Sequence, residues 1–227
     1  MPHIQIMPSI LAANKGHLAD ECRRAEDAGA DGIHIDIMDG HFVPNLSMGP
    51  DFVRMAKDAV SIHLSVHLMV SQPDFFAEPF LDAGSDTLIL HIEANCDPSL
   101  VLKGIRDREK RAGIALNPDT SAQPVFSLAG QLDEVLCMTV NPGFGGQSFI
   151  ASVLPKIAEI RRILPDIDIS VDGGVDGVTG IQCAGAGANI LIAGSYLYRS
   201  AEMSKSVRDM RAQGESALAK KEASSHS

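Results

Sequence analysis

The chain has no tryptophan, two tyrosines and eight phenylalanines among 227 residues, while 45% of its residues are hydrophobic. Its core must therefore be largely aliphatic. Positive charge is also scarce. Nineteen Lys and Arg stand against 29 Asp and Glu, a formal net charge of −10, which argues against a nucleic-acid partner or an anionic membrane surface, though it leaves room for a local basic pocket. No apolar run reaches the roughly 18 residues that a membrane span requires, so none is expected. The opening Met1-Pro2-His3-Ile4 has no basic stretch followed by a long apolar one, so no secretory leader is expected. Cys22, Cys96, Cys137 and Cys183 are far apart and form no C-x-x-C. The expectation is four reduced, mostly buried thiols in a cytoplasmic protein.

What is present is alternation. Short β-like runs fall near Ile4–Pro8, Gly32–Met38, Ile62–Leu68, Thr87–His91, Ala112–Leu116, Val135–Val140, Ile167–Val171 and Ile190–Ala193. Helical stretches lie between and after them, at Lys15–Ala28, Pro50–Ala59, Pro73–Ala83, Pro98–Lys110, Ser121–Ala129, Ser152–Leu164, Asp176–Ala186 and Ala201–Lys221. Pro50, Pro73 and Pro98 open helices, with Asp97 and Ser148 as candidate caps. Gly29, Gly84 and Gly187 follow helices at the left-handed position that glycine tolerates. Eight strand–helix units can lie open as a doubly wound sheet or close as a barrel. The number eight, and unusual polar residues at the ends of several different strands, favour an α/β fold of the (β/α)8 TIM-barrel type. One domain over 1–227 is expected, with a polar tail fraying after about residue 214.

Within His34-Ile35-Asp36-Ile37-Met38, the two-residue period of a strand puts His34, Asp36 and Met38 on one face and Ile33, Ile35 and Ile37 on the other. His34 and Asp36 end the second strand, His67 the third and Asp172 the seventh. Two imidazoles and two carboxylates at one rim suit a divalent cation such as Zn, Fe, Mn or Co. His91 and Glu93 also share a face; they are further ligands, a pair that orients the ligands, or structural residues. His3, His17, His63 and His226 read as structural, and His41 lies in a loop with no assigned role.

Three glycine-bearing loops follow strands six, seven and eight: Asn141-Pro142-Gly143-Phe144-Gly145-Gly146-Gln147, Asp172-Gly173-Gly174 and Gly194-Ser195. Glycines there either turn the chain or let backbone amides approach a phosphate, and their grouping favours phosphate. Met38, Met69 and Met138 are core fillers or a soft wall excluding water from a reactive intermediate. Asp36 and Asp172 approach the centre from separate directions, as two-base proton transfer at one carbon requires. A metal between them would stabilise the enediolate.

These segments, together with Pro8-Ser9-Ile10-Leu11, His41-Phe42-Val43-Pro44-Asn45, His67-Leu68-Met69-Val70 and Met138-Thr139-Val140, resemble the ribulose-phosphate 3-epimerases over nearly the whole chain. The resemblance implies interconversion of D-ribulose 5-phosphate and D-xylulose 5-phosphate in the pentose phosphate pathway. It implies one divalent ion on His34, Asp36, His67 and Asp172, with Asp36 and Asp172 as the proton-transfer pair. Ser9 and His67 would contact the sugar between Met38, Met69 and Met138. Gly143, Phe144, Gly145, Gly146, Gly173, Gly174, Gly194 and Ser195 would hold the phosphate end. It also implies a homo-oligomer, a dimer or hexamer.

Two positions depart from the pattern. Asp119 stands where Gly or Ala is more common, and Tyr196 where a small residue is usual. An alternative is a related epimerase of D-allulose 6-phosphate, although the intact Phe144-Gly145-Gly146 and Asp172-Gly173-Gly174 favour the pentulose. A non-catalytic sugar-phosphate or metal-binding protein would need a broken acid pair or a lost ligand, and neither is seen.

Overall fold

The computed structural model describes residues 3–225. The eight parallel strands are β1 (Gln5–Pro8), β2 (Gly32–Met38), β3 (His63–Met69), β4 (Thr87–His91), β5 (Arg111–Leu116), β6 (Glu134–Met138), β7 (Asp168–Asp172) and β8 (Ile190–Ala193). Their order, β1-β8-β7-β6-β5-β4-β3-β2, follows the chain around a ring. A parallel bridge between Ser9 and His34 joins the two ends of that order. The fold is thus the expected (β/α)8 barrel. Parallel strands covered on both faces are buried throughout, and β2 is buried at all seven positions.

Around the barrel run α1 (Leu18–Asp27), α2 (Pro50–Ala59), α3 (Pro73–Asp82), α4 (Pro98–Asp107), α5 (Gln123–Leu128), α6 (Leu154–Ile163), α7 (Thr179–Ala186), α8 (Ser195–Tyr198) and α9 (Met203–Ser225). Pro50, Pro73 and Pro98 each occupy the first helical position, where a missing N–H costs nothing. Asp97 caps α4 by accepting the Ser99 N–H. Ser148 caps nothing, since the chain runs on through a short 3-10 turn at Ala151–Val153 before α6 begins. The first helix starts later than its pattern suggests. A 3-10 turn over Lys15–His17, capped by Asn14, precedes it.

The single turn α8 was not anticipated. Beyond Gly214, α9 continues as helix to Ser225, with Leu218 buried and Lys221 donating to the Ala186 carbonyl oxygen. Expected structural His226 lies outside the described residues. His63 is structural, with its Nε2 2.8 Å from Thr87 Oγ1. His3 Nδ1 lies 3.1 Å from Glu215 Oε1 and His17 Nδ1 lies 3.7 Å from Asp20 Oδ2, both at the surface. No helix among the described residues is long and apolar enough to cross a membrane.

Two cores result. Between strands and helices lies a large aliphatic layer that takes in Ile33, Ile35 and Ile37. Inside the barrel, Met7, Ile89, Ala115, Leu136, Met138, Val140, Ile190 and Ile192 form a second cluster. Buried polar residues of β2, β3, β4, β6 and β7, among them His34, His67, His91, Glu134 and Ser170, share the lumen with it.

The β2–β3 seam depends on Gly32. A Cβ there would lie 2.6 Å from the His63 carbonyl oxygen, and backbone cannot swing aside as a side chain can. Gly32→Ala is expected to lower stability by about 1–3 kcal/mol in chemical denaturation; an unchanged midpoint would show that the strands separate without cost.

Candidate active site

Register builds the site. Pairing β2 with β3 sets Asp36 abreast of His67, His34 abreast of Ser65 and Met38 abreast of Met69. On the other side, β6 and β7 set Met138 abreast of Asp172, and the closing bridge brings Ser9 beside His34. His34 lies within β2 rather than at its end, one inward-facing position below Asp36. His34, Asp36, His67 and Asp172 each bring a ligand atom into one group, all within 4.8 Å of one another.

Around Asp36 Oδ1 imidazole nitrogens crowd together. His67 Nδ1 is 3.1 Å away and His34 Nε2 is 3.4 Å away. His34 Nδ1 lies 3.3 Å from Ser65 Oγ, while its buried Nε2, apart from the 3.4 Å approach to Asp36 Oδ1, has no hydrogen-bond partner among the described residues. A buried polar atom left unpaired costs on the order of 1–3 kcal/mol. Two imidazole nitrogens and two carboxylates aimed at one spot are the donor set that a divalent cation such as zinc accepts, so the residues present fit one. The other oxygen, Asp36 Oδ2, accepts from Ser9 Oγ at 2.6 Å.

Opposite environments act on the two carboxylates. Burial pushes Asp36 up, but the adjacent His34 and His67 outweigh it and hold the carboxyl well below the usual range. Asp172 is pushed up to about 7, first by burial and then by the Asp36 charge. Burial works against charge on His34, yet Asp36, Asp172 and Glu134 raise its pKa overall. His67 falls to about 4, chiefly through burial.

Above this group opens a cavity of about 920 Å³. Asp36 and Asp172 line it, with Ser9, Met38, Met69 and Met138 as walls. Gly143, Phe144, Gly145, Gly146, Gly173, Gly174, Gly194 and Ser195 line its far end, where Tyr196 and Arg199 also reach it. His34 and His67, both fully buried, stand behind the wall. Two glycines there are irreplaceable by geometry. Gly173 has φ +112°, and a Cβ on it would fall 2.3 Å from Val140 Cγ2. Gly174 has φ +63°, with its would-be Cβ 3.0 Å from the Phe149 nitrogen. Thr139 Oγ1 donates to the Gly173 carbonyl oxygen at 2.6 Å.

Several supporting residues escaped the sequence reading. Ser47 donates to the Asp36 carbonyl oxygen and accepts the Met38 N–H. Asp39 accepts the N–H groups of His41, Phe42 and Ser71, stitching the loops after β2 and β3. His41 itself does not line the cavity. Asn45 donates to the Gly143 carbonyl oxygen across the mouth. Glu134, buried inside the barrel, accepts from Ser170 Oγ. Only Ser65 and Glu134 carried a signal, namely their place on inward-facing strand positions. The loop contacts depend on turns that periodicity does not encode. His91 and Glu93 lie behind His67, outside the four-residue group. Asp119 does not line the cavity.

Residues 5–198 match the Ribulose-phosphate 3 epimerase family. The chain is 44% identical to a ribulose-phosphate 3-epimerase of Bacillus subtilis over 92% of its own length and 98% of the relative's. It is 40% identical to one of Synechocystis sp., covering 92% and 94%. Among solved structures, orotidine 5'-phosphate decarboxylase from Pyrococcus horikoshii superposes with a TM-score of 0.67 at 14% identity, covering 93% and 99%. A 3-hexulose-6-phosphate synthase gives 0.66 at 18%, covering 94% and 99%. At such identities these two likenesses concern the fold alone.

The raised Asp172 pKa has a consequence for stability. Its folded value, about 7, exceeds the ordinary 3.8, so the stabilisation from its protonated form is complete below about 3.8 and is lost as pH rises to about 7. Thermal melts of the metal-free protein are expected to show that decline, and Asp172→Asn to flatten it. An identical slope in the variant would contradict the assignment.

Proposed function

Because this chain belongs to the ribulose-phosphate 3-epimerase family, we propose that it inverts C3 of D-ribulose 5-phosphate to give D-xylulose 5-phosphate by two-base proton transfer through an enediolate. The observation that carries this reading is the pair Asp36 and Asp172: two carboxylates from β2 and β7, facing one cavity, with pKa values driven in opposite directions. Environments that separate two carboxyl pKa values leave one group ready to accept a proton and the other ready to give one.

In one direction, Asp36 takes the C3 proton while Asp172 delivers one to the opposite face; in the reverse direction the roles exchange. Ser9, donating to Asp36 Oδ2, keeps that carboxylate aimed at the substrate. His34, Asp36, His67 and Asp172 would hold the divalent ion. When bound, such an ion supplies positive charge against the negative charge that develops on the enediolate oxygens. Met38, Met69 and Met138 present apolar walls that keep water from the planar intermediate. Ser9, on the cavity wall, orients the sugar directly, and His67, buried behind that wall, acts on it through the ion it would hold. The backbone of Gly143, Phe144, Gly145, Gly146, Gly173, Gly174, Gly194 and Ser195 receives the phosphate, so no lysine is required there.

The setting is cytoplasmic, consistent with four free cysteines, three of them buried. Phe75 and Leu100 expose apolar side chains of the kind a second copy would cover, and we read the protein as a homo-oligomer.

Turnover in deuterated water tests the reaction. Deuterium is expected at C3 of the product, and activity is expected to fall when a chelator strips the protein and to return with added metal. Asp36→Asn and Asp172→Asn should each lower kcat by ~10²–10⁴ while retaining the fold. Near-normal turnover in either variant defeats the two-base assignment. A higher kcat/KM on a six-carbon ketose phosphate would reassign the substrate.

A further inference from the structure

Behind the ligand group runs a line of buried polar atoms that the reaction itself does not use. His67 turns Nδ1 toward Asp36 and its other nitrogen outward, where His67 Nε2 lies 2.9 Å from His91 Nε2. His91 Nδ1 lies 3.0 Å from Glu93 Oε2. The other carboxylate oxygen, Glu93 Oε1, accepts the Asn117 N–H at 2.8 Å and Thr120 Oγ at 2.5 Å. Both imidazoles have no solvent exposure, and the Phe42 ring covers His91 with centroids 4.7 Å apart.

The line has a direction. Burial pushes the Glu93 carboxyl up, but the hydrogen bonds from His91, Thr120 and Asn117 prevail and bring it to about 2. An ionised carboxylate only accepts, so His91 must place its proton on Nδ1. A neutral imidazole with a proton on Nδ1 offers a lone pair at Nε2. Facing that lone pair, His67 must carry its own proton on Nε2, which leaves the Nδ1 lone pair pointing at the space shared with Asp36 and His34.

We propose that Glu93 is a positioning residue that acts through His91 to fix the tautomer of His67, so that His67 offers its Nδ1 lone pair to a divalent cation. The proposal rests on the cation site described under the proposed function. It adds that the loop after β5, through Asn117 and Thr120, takes part in ion affinity although it touches neither ion nor substrate. Residues that anchor a ligating histidine from behind typically alter affinity by ~10–100-fold when removed.

Glu93→Gln separates this role from simple packing, because the two side chains have the same shape. The glutamine Oε1 still accepts from Asn117 and Thr120, but its amide nitrogen donates toward His91. His91 must then carry its proton on Nε2, facing His67, and His67 must move its own proton to Nδ1. Without an ion every group is satisfied, since His67 Nδ1–H donates to Asp36. With an ion seated, the arrangement is frustrated.

The test is zinc affinity by chelator competition, combined with thermal melts of the metal-free protein and nitrogen-15 spectra of its histidines when zinc-loaded. Glu93→Gln is expected to bind zinc ~10–100-fold more weakly while melting in the metal-free state close to the parent. The zinc-loaded parent should show His67 protonated at Nε2 and His91 at Nδ1. Equal zinc affinity in parent and variant, or a His91 proton found on Nε2 in the loaded parent, overturns the proposal and leaves the epimerase reading intact. A parent that binds none of zinc, iron, manganese or cobalt overturns the proposal together with the cation site it rests on. A variant whose metal-free melt collapses with its affinity would make Glu93 a packing residue, against the proposal.

Discussion

At Asp36 Oδ1 the fold brings together two imidazoles and a second carboxylate in a buried spot. His34 Nε2, His67 Nδ1 and a carboxylate from the far side of the barrel all gather there, and His34 Nε2 makes no well-formed hydrogen bond among the described residues. Such convergence is costly in a medium that screens charge poorly. It persists because each contributor is locked elsewhere: His34 by Ser65, Asp36 by Ser9 and His67 by His91. The geometry around the oxygen is therefore imposed by the barrel rather than chosen by the four side chains.

A parallel barrel is well suited to impose it. Adjacent strands advance in register, so one pairing, Asp36 with His67, aligns the whole inward face of β2 and β3. The same inward alternation puts Met38 and Met69 one step nearer the mouth than Asp36 and His67, while Met138 sits level with Asp172. The glycine loops after β6, β7 and β8 then form one end of the cavity, opposite in character to the acidic floor. On the proposed reading, a substrate with an anionic end and a reactive carbon a few bonds away would be oriented there before any chemistry begins.

Much of this was readable in the chain. The period-two pattern of Ile33 to Met38 identified the buried face of β2, and the inward positions of His67 and Asp172 followed from the same rule. Strand and helix order came from alternation, because hydrophobic periodicity reports burial directly. Boundaries were less legible. The 3-10 turns before α1 and α6 satisfy backbone groups without altering the apolar pattern, and α9 outlasts its polar composition because Leu218 meets a partner distant in sequence. The roles of Ser47, Asp39 and Asn45 lay in loops, where contacts arise from turn geometry. His91 and Glu93 were visible as a pair, but their direction of action depended on knowing that Asn117 and Thr120 fold back onto the carboxylate.

The barrel closes at β1 and β2 through the bridge between Ser9 and His34, whereas every other neighbouring pair shares a ladder of several residues. The thinnest seam of the cylinder thus passes through its reactive centre. Breathing motions of the ring concentrate where lacing is least, and here they would part Ser9 from Asp36 and loosen His34 in the same excursion. Amide exchange near Ser9 and His34 and the alignment of the acids are, on this layout, two faces of one mechanical weakness.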